Sequence, residues 1–205
     1  MKKTKIVVLI SGGGTNLQAL IDAQSSSALS SGEIVGVISS SPAAYGLERA
    51  KKAGIPSAVV EKKLLGSQVA FEKTLISYLD SFGAELIVLA GFMCILSADF
   101  TSRYPERIVN VHPSLIPSFC GKGFYGLRVH EAALSYGVKV TGATVHFVNE
   151  VPDGGKILLQ KAVSVEDGDT PEILQKRVMR EAEWIILPQA VEMVSKKIMD
   201  LKIER

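Results

Sequence analysis

Short apolar runs alternate with amphipathic stretches along most of this chain, and that alternation restricts its fold more than any single residue does. Ile6 to Ile10, Ile34 to Ser39 and Ala58 to Val60 read as strands, separated by helices from about Thr15 to Ala28 and from about Gly46 to Ala53. Strand, helix and strand in succession build a parallel sheet with helical crossovers. From Ser67 to Phe82 apolar side chains recur at Leu75, Ile76, Leu79 and Phe82, and Gly83 ends that helix before the run Glu85 to Ala90. The run is apolar without a break, as a strand covered on both faces must be. Ser97 is expected to cap a short helix ahead of a strand from Ile108. After a glycine-rich loop from Pro117 to Leu127 and a helix near Val129 to Tyr136, two β-rich runs follow, Lys139 to Val148 and Lys156 to Val165. Gly154-Gly155 breaks between them and predicts an antiparallel pair. Thr170-Pro171-Glu172 starts a last helix, which Pro188 is expected to bend.

A chain of 205 residues, 47% hydrophobic and 21% charged, fits one domain with a sizeable core. Met1 to Lys5 resembles the basic start of a secretory signal, but the apolar run after it is short and enters Ser11-Gly12-Gly13-Gly14, so it reads as the first strand. No apolar run is long enough to span a membrane. A net charge of +2 with only short lysine clusters argues against a nucleic-acid partner. Two cysteines, Cys94 and Cys120, make no disulfide framework, and three histidines show no metal-ligand spacing. A reducing cytoplasm and a monomer or homodimer are expected.

Ser11-Gly12-Gly13-Gly14-Thr15-Asn16 follows the first strand and opens the first helix, where backbone N–H groups and the helix dipole attract an anion. A dinucleotide fingerprint would need glycine where Leu17 stands and an acid where the second strand ends in Ser39-Ser40-Ser41. A Walker loop would need a lysine after the glycines. The remaining choices are a small phosphate monoester or a tight structural turn.

Asn110 and His112 lie two residues apart where a strand ends, so both leave one face at the sheet's carboxyl edge. An amide there suits a developing oxyanion and an imidazole suits proton transfer at an amine. The alternative is a histidine held by a turn that Pro113 fixes. Asp153, in the connection of the two β-rich runs, is placed to reach over the sheet edge toward His112, or else serves only an Asp-Gly turn. No G-x-S-x-G elbow marks a serine hydrolase. Cys94 and Cys120 have nothing nearby to lower a thiol pKa.

Four segments together resemble the phosphoribosylglycinamide formyltransferase family over nearly the whole chain: Ser11 to Leu17, Leu89-Ala90-Gly91-Phe92-Met93, Asn110 to Pro117, and Gly142 to Val148 with Asp153-Gly154-Gly155. The resemblance implies a single-domain α/β formyltransferase fold with a Rossmann-like, mostly parallel sheet. Residues 1–100 would form the phosphate-binding half and 101–205 the catalytic and folate-binding half. It further implies transfer of a formyl group from 10-formyltetrahydrofolate to the amine of glycinamide ribonucleotide, in purine biosynthesis, without a metal. Asn110, His112 and Asp153 would be catalytic. Gly14, Thr15, Asn16 and Glu183 would hold the ribonucleotide. The folate would meet Gln68, Met93, Cys94, Ile95, Leu96 and Asn110, with His146, Phe147, Val148, Asn149 and Glu150 in a loop closing over its pterin. The resemblance departs at three places: a family arginine that contacts the folate falls near Gln68, Trp184 stands where the family has a histidine, and the last helix carries one extra residue. A formyltetrahydrofolate hydrolase would share the Asn-His-Asp group, with water as acceptor. A phosphate-binding module would leave that group idle.

Overall fold

The computed structural model describes residues 2–203 as an α/β fold around one seven-stranded sheet. Strands β1 (Thr4–Ile10), β2 (Gly32–Ser39), β3 (Ser57–Val59), β4 (Leu86–Leu89), β5 (Ile108–His112), β6 (Val140–Phe147) and β7 (Ile157–Ser164) lie in the order 3-2-1-4-5-6-7. The first five are parallel, while β6 and β7 add an antiparallel pair, as Gly154-Gly155 predicts.

The helices are α1 (Thr15–Ser25), α2 (Gly46–Lys52), α3 (Lys62–Leu65), α4 (Gln68–Phe82), α5 (Ala98–Ser102), α6 (Leu127–Tyr136), α7 (Pro171–Val178) and α8 (Trp184–Ile203). Alternate side chains of β1 divide between two cores. Ile6, Val8 and Ile10 pack with Leu17 and Leu20 of α1 and with Leu187 and Val191 of α8. Val7 and Leu9 pack with Phe71, Leu75 and Leu79 of α4 and with Phe100 of α5. This division is why the strand is continuously apolar, and β4 repeats it.

Local signals fix most helix ends. Ser67, Ser97 and Thr170 each accept a hydrogen bond from the backbone three residues on, and Gly83 closes α4 in the left-handed region at φ 65°. Three departures from expectation have physical causes. Helix α1 stops at Ser25 rather than Ala28, where Ser25 and Ser26 hydroxyls bond back to Ile21 and Ala23 carbonyls and Ser27 turns to φ 64°. The one-turn helix α3 was too short for a periodic signal. The segment after Thr170, read as one helix, is divided by a π turn over Met179–Glu183, and Pro188 lies within α8. In the π turn Trp184 N–H reaches Met179 O, five residues back, one residue more than an α turn holds.

β1 is the strand at which the order reverses, its neighbours β2 and β4 being reached by connections that leave in opposite directions. Loops beyond the carboxyl ends of β1 and β4 therefore part to leave a crevice.

Candidate active site

A cleft of about 870 Å³ opens at that crevice. Its walls include Gly12 to Asn16 after β1, Ala90 to Ile95 after β4, Asn110 to Pro113 at the end of β5, Gly121 to Gly126, and Asp153. Both expected halves of the chain contribute to it. Ser11 ties its edges together: its hydroxyl accepts from Met93 N–H at 2.8 Å and pairs with the Ser40 hydroxyl at 2.6 Å.

At one end lies the glycine loop. Gly12 O accepts from Gly46 N–H at 3.0 Å and Gly14 O from Gln18 N–H at 2.9 Å, whereas the N–H groups of Gly13, Gly14, Thr15 and Asn16 make no hydrogen bond within the described residues. Such donors at a helix start form an anion site. Gly14 must be glycine: its φ is +69°, and a Cβ there would lie 2.6 Å from Gly46 Cα. The Asn16 amide donates to Glu183 Oε2 at 2.7 Å, and burial raises the Glu183 carboxyl to about 7 against the lowering effect of that bond.

At the other end Asn110, His112 and Asp153 converge. Asn110 and His146 are direct partners across β5 and β6, and their side chains meet at 3.2 Å. The Phe147 carbonyl can only accept, so His146 Nδ1, 2.7 Å from it, carries the proton and Nε2 accepts from Asn110. One Asn110 N–H is thereby fixed and the other left for the cleft. His112 Nδ1 stands 3.5 Å from Asp153 Oδ2, and His146 Nε2 3.6 Å from Asp153 Oδ1. His112 Nε2, 2.9 Å from the Phe119 carbonyl, is the protonated nitrogen by the same reasoning.

The glycines after Asp153 allow this approach. A Cβ on Gly155 would lie 1.7 Å from the Phe147 carbonyl, and Asp153 itself turns inward at φ 56°. Gly121 N–H donates to Asp153 Oδ2 at 2.8 Å. Although burial opposes it, the neighbouring imidazoles of His146 and His112 and the Gly121 N–H hold the Asp153 carboxyl below its ordinary range. Burial dominates at His112, depressing its pKa despite Asp153 and the Phe119 carbonyl. Asp153 thus pulls His112 toward the charged form, but desolvation exceeds that pull and leaves the imidazole neutral near pH 7.

Gly14, Thr15, Asn16, Glu183, Met93, Cys94 and Ile95 all line the cleft. Leu96 turns into the core below. Gln68 lies outside the cleft lining, its amide donating to Glu72 Oε1 at 2.6 Å and to Ile95 O at 3.0 Å, where it braces the segment that carries Met93 to Ile95. His146 is buried behind Asn110. Phe147, Val148, Asn149 and Glu150 face a separate depression beside α5, because Asn149 Oδ1 accepts from Val151 N–H and Gly154 N–H donates to Val151 O, folding the loop back. Of the loop expected to close over a ligand, Pro152 and Asp153 reach the cleft.

Sequence reasoning missed Gln175, Met179 and His130, which also line it. Gln175, Met179 and Glu183 recur every four residues; over eight residues an α-helix drifts by about 80°, and the π turn takes up much of that drift. His130 lies on the buried face of α6 with neither ring nitrogen bonded among the described residues, and burial, with a smaller effect from His112, lowers its pKa to about 4. Its only sequence signal was the amphipathic spacing with Val129 and Ala133.

Comparison with known proteins finds matches over nearly all of the chain. The profile of the family described as Formyl transferase matches residues 4–191. A phosphoribosylglycinamide formyltransferase of Haemophilus influenzae is 42% identical over 198 residues, 97% of this chain and 90% of that protein. The trifunctional purine biosynthetic protein adenosine-3 of Bos taurus is 46% identical over 194 residues, and the match spans only 18% of that longer protein. The crystal structure of glycinamide ribonucleotide transformylase 1 from Symbiobacterium toebii superposes with a TM-score of 0.89 at 41% identity, covering 95% of this chain and 89% of that one.

Proposed function

The chain belongs to the formyl transferase family, among its phosphoribosylglycinamide formyltransferases, and from that premise we propose that it transfers the formyl group of 10-formyltetrahydrofolate to the amine of 5-phosphoribosylglycinamide. The observation that carries this reading is a single cleft with free N–H groups of a glycine loop at one end and Asn110, His112 and Asp153 at the other. A phosphorylated acceptor uses both ends. A hydrolase, whose acceptor is water, would need only one.

In this reading the ribonucleotide phosphate sits on Gly14, Thr15 and Asn16, and Glu183 meets its ribose. The amine attacks the formyl carbon directly. The Asn110 N–H that His146 leaves free donates to the tetrahedral oxyanion, an interaction whose loss typically costs about 3–4 kcal/mol of barrier. Neutral His112 is a base at Nδ1, and the proton it gains there is stabilised by the Asp153 carboxylate. The nitrogen of tetrahydrofolate leaves with a proton returned from this pair or from water. The two free thiols, Cys94 and Cys120, suit a reducing cytoplasm.

Incubating the protein with 10-formyltetrahydrofolate, with and without the ribonucleotide, tests the reading through release of tetrahydrofolate. Release that requires the amine supports transfer; equal release without it selects hydrolysis.

The donor is assigned to the side formed by Met93, Cys94 and Ile95, with Asn110 at the reacting centre, Gln68 bracing the Ile95 carbonyl, and Phe124 and Tyr125 opposite. Residues 147–150 turn away toward the other depression and are left out of this assignment. The glycine-rich loop touches the catalytic pair through Phe119 O and Gly121 N–H, and Phe119 packs on Phe124 and Tyr136 at centroid distances of 6.4 and 6.0 Å. Phe124→Gly should raise the KM for the folate more than that for the ribonucleotide, and amide exchange over 117–127 should slow when folate is added. Unchanged exchange at saturating folate would mean a permanently packed loop.

A further inference from the structure

Of the three consecutive glycine carbonyls in the phosphate loop, two are held by backbone N–H groups, and the third, Gly13 O, is held by a side chain. Arg49 Nε donates to it at 2.9 Å. The guanidinium is fixed on two further sides, by a bond from its NH1 nitrogen to Gln18 Oε1 at 3.0 Å and by the Tyr45 ring 5.1 Å away. Gln18 is itself anchored to Asp22 at 2.9 Å.

Across a trans peptide the C=O and N–H point in opposite directions. A peptide whose oxygen is drawn to one side therefore presents its hydrogen on the other. Gly46 N–H, by holding Gly12 O, turns out the N–H of Gly13; Gln18, by holding Gly14 O, turns out that of Thr15. Arg49 does the same for Gly14, the residue whose left-handed φ and contact with Gly46 leave no room for a side chain to set its orientation. The guanidinium lines the groove between α1 and α8 and stands outside the cleft lining, so it acts through the peptide.

We propose that Arg49 is a positioning residue for phosphate recognition, aiming the Gly14 N–H at the phosphate of the acceptor by holding the Gly13 carbonyl. The assignment rests on the functional reading above and adds the residue that shapes its phosphate end. A planar donor locked at three points suits this task better than a flexible ammonium.

Arg49→Met keeps much of the stem and removes the donors. It should raise the KM for 5-phosphoribosylglycinamide about ten- to hundredfold, the range for losing one hydrogen bond to a charged group, with kcat and the KM for 10-formyltetrahydrofolate within about twofold of wild type by the same separation of binding from chemistry. Arg49→Lys, which can still donate to Gly13 O, should recover part of the loss. The decisive comparison uses the acceptor lacking its phosphate, glycinamide riboside: wild type and Arg49→Met should handle it equally poorly. Equal penalties for ribonucleotide and riboside in Arg49→Met, or no penalty for either, would overturn the assignment. A wild type that handles ribonucleotide and riboside alike would instead remove the phosphate reading of the loop, and this assignment with it.

Discussion

Asp153→Asn should lower turnover by about 10²–10⁴-fold while leaving the protein folded, the range for a positioned acid–base group. Asparagine is nearly isosteric and retains an oxygen to accept from Gly121 N–H, now 2.8 Å from the carboxylate. What it loses is charge, 3.5 Å from His112 Nδ1 and 3.6 Å from His146 Nε2. Without that charge the imidazolium formed during amine attack has no counter-ion. His112→Ala should fall in the same range, and the double variant should be little worse than the single variants, because both remove one proton-transfer unit. The pH dependence carries a sign. Burial depresses the His112 pKa below 6.5 and Asp153 pulls it upward. Activity that needs neutral His112 is therefore level at neutral pH and falls in acid, and in Asp153→Asn the fall moves to still lower pH. Near-normal turnover of folded Asp153→Asn would reduce this residue to a turn former.

The sheet was readable because β1 and β4 are covered on both faces, which leaves an unbroken apolar run in the sequence, and because Gly154-Gly155 separates two β-rich segments. The convergence of Asn110 with His112 followed from strand periodicity alone. The approach of Asp153 did not, since it depends on Gly155 passing against the Phe147 carbonyl, a packing contact with no local signature. His146 shows the same limit. Its position opposite Asn110 is a matter of register between β5 and β6, and that register bonds a residue expected at the folate to the Asn110 amide. Phe147 to Glu150 were expected at the folate through the family resemblance, whereas the hydrogen bonds of Asn149 and Gly154 to Val151 turn that stretch toward a separate depression. His130, Gln175 and Met179 reach the cleft by helix packing against the sheet edge, and a helix pattern reports which face is buried without saying against what.

Glu183→Gln should make the protein more stable in mild alkali while weakening its hold on the ribonucleotide. Burial raises the Glu183 carboxyl from 4.5 to about 7, only partly offset by the Asn16 amide. The folded chain therefore keeps a proton that the unfolded chain releases between those values, so stability falls as pH rises from 4.5 to about 7 and stays low above it. That interval corresponds to about 3 kcal/mol. A glutamine has no charge to bury at any pH. Its oxygen can still accept from the Asn16 amide, now 2.7 Å from the carboxylate, and its N–H groups can serve Asn16 Oδ1, which is buried without a partner among the described residues. Urea unfolding of both proteins should give a gap of up to about 3 kcal/mol in favour of the variant at pH 8 that closes toward pH 5. The KM for the ribonucleotide should rise at pH 8, where the wild-type carboxylate is ionised and accepts strongly from a ribose hydroxyl. A stability gap of the same size at both pH values would mean that packing, and not the carboxyl's ionisation, separates the two proteins. A gap that closes in acid, together with weaker ribonucleotide binding, would identify Glu183 as a charge kept in the core for substrate at the expense of stability.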